Sequence, residues 1–294
     1  MKIIECPRDA MQGIHSFIPT EKKIDYINAL LQVGFDTIDF GSFVSPKAMP
    51  QMADSWKVIS RLKLDETDTK LLAIVANERG AKEALSYPEI DYLGFPFSIS
   101  ETFQLRNTNA SQQEAFDRVK DIQNLCLQKE KTLVVYLSMG FGNPYGDFWA
   151  PELVEHWTDR FAHIGVEIIS LSDTIGVATP NSIANLFDTV IQSFPTIEFG
   201  AHLHTEPHNW REKVAAAFDN GCERFDGAIR GFGGCPMAQN KLVGNMPTEN
   251  LVRFFLKERK DFYIGETALI EAIQLSMSVF EGNDVITSKQ PNLF

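Results

Sequence analysis

Three short stretches of this chain repeat one grammar: VGFDTIDFG at 33–41, IGVEIISLS at 164–172 and NGCERFDGA at 220–228. Each runs glycine, one residue, an acid and then an apolar stretch, and each follows an amphipathic helical pattern. Glycine suits the left-handed position that ends a helix, and the apolar run behind it suits a buried strand. The repeat is therefore the αβ half of a βα unit, and the chain reads as alternating helix and strand.

Reading outward from these copies predicts strands near 2–6, 36–41, 71–76, 91–96, 132–138, 167–172, 197–203 and 223–229. Between them lie helical patterns with apolar residues three and four apart, among them 21–33, 112–128 and 180–194. Eight strands alternating with helices in 294 residues meet the requirement of an α/β (β/α)8 TIM barrel. An open doubly wound sheet is the main rival. Against it, neither GxGxxG nor GxxxxGK[ST] follows the first strand, where a nucleotide-binding sheet places one. Without a linker or low-complexity segment, residues 1–294 are read as a single domain.

A net charge of −12 argues against a general nucleic-acid binder, which needs clustered Lys and Arg. No apolar run reaches the roughly 18 to 20 residues that span a bilayer, and MKIIECPRDAMQ lacks a secretory apolar segment. A cytoplasmic protein without nucleic-acid or membrane partners is expected. Cys6, Cys126, Cys222 and Cys235 form no CxxC pair, so free thiols are expected instead of disulfides or a zinc ribbon.

In a barrel, chemistry gathers past the C-terminal strand ends. Arg8 and Asp9 follow the first strand, Asp39 ends the second, and Asp173 follows the sixth. The seventh strand ends in HLH, and the glycine-rich GFGGCPMAQNKLVGN, with Cys235 and Asn245, follows the eighth. Two residues spaced by two on a strand point the same way, so His202 and His204 both face the barrel mouth. With an acid such as Asp9 they make a mixed nitrogen and oxygen donor set for a hard or borderline divalent ion. Arg8 beside Asp9 reads either as a solvated turn or as a fixed-fork cation for a carboxylate or enolate oxygen. Asp39 reads equally as an acceptor behind the site, a base or a loop cap, and Asp173 reads first as a turn residue. The final loop lacks the lysine-serine or lysine-threonine end of a phosphate cradle.

PRDAMQ, SFVSPKAMPQMAD, SLSDTIGVATP, HLH, GFGGCPMAQ and GNMPTENLV together resemble the 3-hydroxy-3-methylglutaryl-CoA lyases of the DRE-TIM metallolyases, over nearly the whole chain. The resemblance implies retro-Claisen cleavage of that thioester to acetoacetate and acetyl-CoA. It implies Mg2+ or Mn2+ held by Asp9, His202, His204 and Asn245, with Arg8 on the enolate oxygen. Cys235 would be the acid or base on a mobile loop, and Asp39 and Glu249 would be assisting acids. Gln12, Ser42, Asp173 and Thr174 fall where the acyl-CoA substrate approaches. A homodimer with its contact near 249–283 is implied, together with extra C-terminal helices, and Lys47 is one candidate for the CoA phosphates.

The chain departs from that pattern in four places. Asp39 stands where the family has glutamate, Ala10 where it has glycine, and Thr205-Glu206 with an extra His208 where aspartate follows HxH. The segment from Cys235 to Asn245 is one residue longer. The competing expectations are a related acyl-CoA lyase or a condensing enzyme of the same superfamily, and a non-catalytic metal-binding barrel.

Overall fold

The computed structural model describes residues 1–234, 244–259 and 262–281. Eight parallel strands close into a barrel in chain order, with β8 paired back to β1. They are β1 (Lys2–Glu5), β2 (Thr37–Ser42), β3 (Lys70–Ile74), β4 (Tyr92–Ser98), β5 (Thr132–Ser138), β6 (Ile168–Asp173), β7 (Glu198–Leu203) and β8 (Arg224–Gly227). Each coincides with an expected strand to within two residues at either end. The closed sheet excludes the doubly wound rival.

Short α1 (Pro7–Gln12) opens at once after β1, with proline in its first turn where no N–H is needed. The barrel wall continues through α2 (Thr20–Leu31), α3 (Ser55–Ile59), α4 (Glu78–Ala84), α5 (Glu101–Thr108) and α6 (Gln112–Gln128). It is completed by α7 (Pro151–His163), α8 (Pro180–Ser193), α9 (Trp210–Asp219), α10 (Thr248–Glu258) and α11 (Glu266–Val279). Helix α6 starts where Ser111 and Glu114 form a reciprocal capping box, which is why its start is legible in the sequence. The three glycines of the repeat, Gly34, Gly165 and Gly221, take φ of +89°, +82° and +89°, the left-handed region a side chain resists.

The main core lies between sheet and helices, where Ile27, Leu30, Phe97, Phe161, Phe187, Phe225 and Phe255 are buried. Burying side chains of this size contributes about 1.5–3 kcal/mol each. A smaller apolar plug of Leu72, Ile74, Val134, Tyr136 and Ile168 fills the barrel itself. Below it, fully buried Arg224 reaches Glu198 at 3.5 Å and lies 5.6 Å over the Tyr92 ring. The plug leaves the opposite, C-terminal mouth of the barrel for polar groups.

The additional C-terminal helix α11 packs on α2, joined by Gly265 N donating to Val33 O at 2.8 Å and by an edge contact between Tyr26 and Phe280. Cys6, Cys126 and Cys222 are free and buried, while Cys235 lies outside the described residues. Among the described residues no helix is long and apolar enough to cross a membrane.

Candidate active site

Helix α1 carries three polar side chains on one face because Arg8, Asp9 and Gln12 are spaced by three and four. Arg8 Nη1 donates to Asp9 Oδ1 at 3.0 Å and to Gln12 Oε1 at 2.9 Å, and Gln12 Nε2 donates to Asp9 Oδ1 at 2.5 Å. The other edge of the guanidinium forks onto Asp39 of β2, Nε reaching Oδ2 at 3.0 Å and Nη2 donating to the same oxygen. Asp39 therefore acts here through Arg8, holding the fork in place. The side chain, a methylene shorter than glutamate, still spans the gap.

His202 and His204 do face the same way, their ring centroids 5.5 Å apart. His202 Nδ1 meets Asp226 Oδ2 of β8 at 3.0 Å, which directs Nε2 towards the mouth. His204 forms an antiparallel bridge with Asn245, and Thr205 N donates to Gly244 O at 3.0 Å. Asn245 Nδ2 in turn donates to Asp9 Oδ2 at 2.6 Å and to Phe232 O at 2.9 Å. The four expected ligands thus come from three separate places: α1, the end of β7 and the segment after β8.

The charges are mutually arranged. Burial raises the Asp9 carboxyl, but Arg8, the two histidines and the Asn245 hydrogen bond outweigh it and hold it below the usual range. Burial pushes the Asp39 carboxyl up to about 6 despite the guanidinium against it. Burial also opposes a charged His202, yet Asp226 and Asp9 raise the imidazole above its ordinary value. Arg8 stays cationic, since Asp39 and Asp9 more than offset its burial.

The donor set at the mouth, a carboxylate, two imidazoles and a carboxamide, has the mixed oxygen and nitrogen chemistry that suits a divalent ion with positions left for substrate oxygens. A different trio, Cys6, His202 and Asp226, brings its donor atoms within 4.8 Å of one another. There the His202–Asp226 hydrogen bond already occupies the facing atoms. Burial, reinforced by Asp226, Asp39, Asp9 and Glu5, pushes the Cys6 thiol far above the range where a thiolate forms.

A cavity of about 410 Å³ opens over this cluster, and Arg8, Asp9, Gln12, Thr174, His202 and His204 all line it. Its apolar wall comes from Val44, Ala48, Met49, Ile74 and Phe103, and its second cation is Arg106 at the end of α5. Lys47 is exposed and does not line the cavity. Ser42 turns its hydroxyl to Ile74 O at 3.1 Å, and Asp173 spends its oxygens on Ala178 N and Lys213 Nζ. Glu249 accepts from Arg230 N at 2.9 Å and does not line the cavity. Of the departures, Ala10 sits in helical α1 and not among the positive-φ residues, and His208 pairs with Glu206 at the surface. The expected lengthening between Cys235 and Asn245 falls at positions 235–243, which lie outside the described residues.

Sequence reasoning missed Asp226, Tyr136 and Arg106. Asp226 had a signal: it is an acid inside an apolar strand run, the same anomaly that marks Asp39. Tyr136 had none, because an aromatic on a strand reads as core. Its hydroxyl and Asp226 Oδ1 are both buried without a partner among the described residues.

A family model described as HMGL-like matches residues 2–275. A hydroxymethylglutaryl-CoA lyase of Bacillus subtilis is 32% identical over 255 residues, 87% of this chain and 84% of that protein. The cytoplasmic 3-hydroxy-3-methylglutaryl-CoA lyase of Rattus norvegicus is 31% identical over 86% of this chain and 73% of its own. Among solved structures, an HMG-CoA lyase of Acinetobacter baumannii in complex with coenzyme A and 3-methylmalate superposes with a TM-score of 0.87. It is 28% identical over 99% of this chain and 98% of that one.

Proposed function

The chain belongs to the HMGL-like family, and from that premise we infer that it is a divalent-metal-dependent lyase cleaving 3-hydroxy-3-methylglutaryl-CoA to acetoacetate and acetyl-CoA. The observation that carries the reading is the buried Arg8 fork. Clamped between Asp39 and Asp9, it borders the same cavity as His202 and His204. A cation fixed before substrate arrives stabilises charge that develops in the transition state without having to reorganise.

Asp9, His202, His204 and Asn245 would hold Mg2+ or Mn2+. The bound ion would supply Lewis-acid polarisation of the substrate's tertiary hydroxyl and a neighbouring oxygen. Arg8 faces the thioester oxygen on which negative charge grows as the carbon–carbon bond breaks. Asp39 and Gln12 keep the guanidinium turned to that oxygen. Thr174 accepts from Met139 N at 2.8 Å, which fixes its hydroxyl on the cavity wall with the O–H proton still available to a substrate oxygen. Ser42 and Asp173 support the substrate pocket indirectly, by bracing its walls.

As the carbon–carbon bond breaks the tertiary hydroxyl gives up its proton to a base and the enolate carbon gains one, and Cys235, from the loop after β8, is the acid or base in this exchange. Glu249 steadies the loop's start through the Arg230 amide. Arg106 is the cation placed to meet an anionic part of the acyl-CoA, a role that Lys47 does not reach. The protein would act as a single-domain cytoplasmic homodimer, with its contact near 249–283.

The decisive experiment offers purified protein several 3-hydroxyacyl-CoA compounds, and an acetyl-CoA plus 2-oxoacid pair, with Mg2+ or with chelator. Release of acetoacetate from the hydroxymethylglutaryl thioester, abolished by chelator and restored by metal, is expected. Turnover of the condensation pair alone would overturn the reading in favour of a synthase.

A further inference from the structure

Lys213, in the first turn of α9, is almost fully buried, yet it ends in an ammonium group. All three of its N–H bonds have acceptors: Asp173 Oδ2 at 2.7 Å, His204 O at 2.9 Å and Gly176 O at 3.1 Å. Replacing a buried ion pair by apolar side chains is often neutral or stabilising, so stability alone is a weak reason to keep one. The informative partner is the His204 carbonyl. The β6–β7 ladder ends at the Asp173–Leu203 pair, so this carbonyl lies one residue beyond its last rung. Lys213 supplies the donor there.

The same peptide is held from its other side, since Thr205 N donates to Gly244 O at 3.0 Å. The carbonyl and N–H of the His204–Thr205 peptide are therefore both fixed, and with them the plane from which the imidazole projects. Gly244 immediately precedes Asn245, which bonds Asp9. Asp173, neutralising the ammonium, has its second oxygen on Ala178 N at 3.0 Å, which ties the clamp to the β6 loop.

We propose that Lys213 is a positioning residue whose ammonium clamps the His204–Thr205 peptide and so presets His204 and Asn245 to receive the divalent ion. The inference rests on the metal-dependent reading of the site. It adds a residue that touches neither ion nor substrate but decides how well the ion is held.

The test measures Mn2+ affinity by electron paramagnetic resonance without substrate, the thermal midpoint in chelator, and turnover against Mn2+ concentration. Lys213→Met removes the donors and keeps the stem. The double variant Lys213→Met with Asp173→Asn also removes the carboxylate left without its partner. Lys213→Met is expected to weaken Mn2+ binding about 10- to 100-fold, as loss of a partner behind a metal ligand does. Turnover should recover to within a few-fold at saturating Mn2+. The double variant should regain thermal midpoint without regaining Mn2+ affinity.

If it regains affinity, Lys213 merely balances Asp173 and the clamp is wrong. If either variant binds Mn2+ as the wild type does while its midpoint drops, the role is structural only and the inference fails alone. Wild-type protein that binds no Mn2+ overturns the metallolyase reading, and the clamp with it.

Discussion

His202 Nδ1 and Asp226 Oδ2 face each other at 3.0 Å across adjacent strands β7 and β8. A carboxylate behind a metal-binding imidazole fixes its tautomer and orientation and makes the other nitrogen a better ligand. Asp226→Asn should therefore weaken Mn2+ or Mg2+ binding about 10- to 100-fold while leaving the barrel folded. Titration calorimetry with the metal, beside a circular dichroism melt, checks both halves. Unchanged affinity would show that His202 is oriented by its ring contacts alone, including the edge approach to Tyr136 at 5.8 Å.

Arg8 lies 8% exposed between two carboxylates. If Arg8 faces the enolate oxygen as proposed, Arg8→Ala removes a fixed charge there and should lower kcat about 10²-fold or more. KM should move far less than kcat. Steady-state rates at saturating metal decide this, and a loss confined to KM would assign Arg8 to ground-state binding instead.

Gly233, at φ +94°, packs against Asp9, Ala10 and Asn245. A Cβ there would lie 2.8 Å from Asn245 Nδ2 and 2.9 Å from both Asp9 O and Ala10 Cα. Two of these contacts are backbone, so little can yield. Gly233→Ala should depress metal affinity and turnover together by separating Asp9 from Asn245. A metal titration of the variant that overlays the wild type would contradict this account.

Glu5 is buried under α10, where it accepts from Ile229 N at 3.0 Å and from the Thr248 hydroxyl. Burial pushes its carboxyl from 4.5 to about 8, despite those hydrogen bonds. A carboxyl raised in the folded state holds its proton longer there than in the unfolded chain. Its contribution is therefore complete below about pH 4.5 and is lost as the pH rises from there to about 8. Glu5→Gln keeps a similar shape and should flatten this part of the stability profile. Urea midpoints from pH 5 to 9 for both proteins provide the comparison, and parallel profiles would refute it.

The fold was legible because its signals are local. A left-handed glycine, a capping box such as Ser111 with Glu114, and an apolar run are each contained in a few residues. The site was legible only where a strand end carried anomalous polarity, as in HLH or at Asp39. Which oxygen of Asp39 meets which nitrogen of Arg8 depends on register across β1 and β2, a long-range property. Lys213 carries no signal in the sequence, since its burial is created by the ends of β6 and β7 and not by anything in α9. Ser42 and Asp173 show the converse: the right segment was identified, but backbone groups nearby had already claimed the side chains.

Asp9 and Asn245 lie 236 positions apart in the chain, yet they are hydrogen-bonded neighbours. The proposed ligand set cannot exist in a half-built barrel, because the first and last strands must already be zipped together for these two residues to meet. An emerging or truncated chain would thus have no premature grip on the ion. Capture of the cation would report that the ring has closed, making the cofactor a witness to the final topological step of folding.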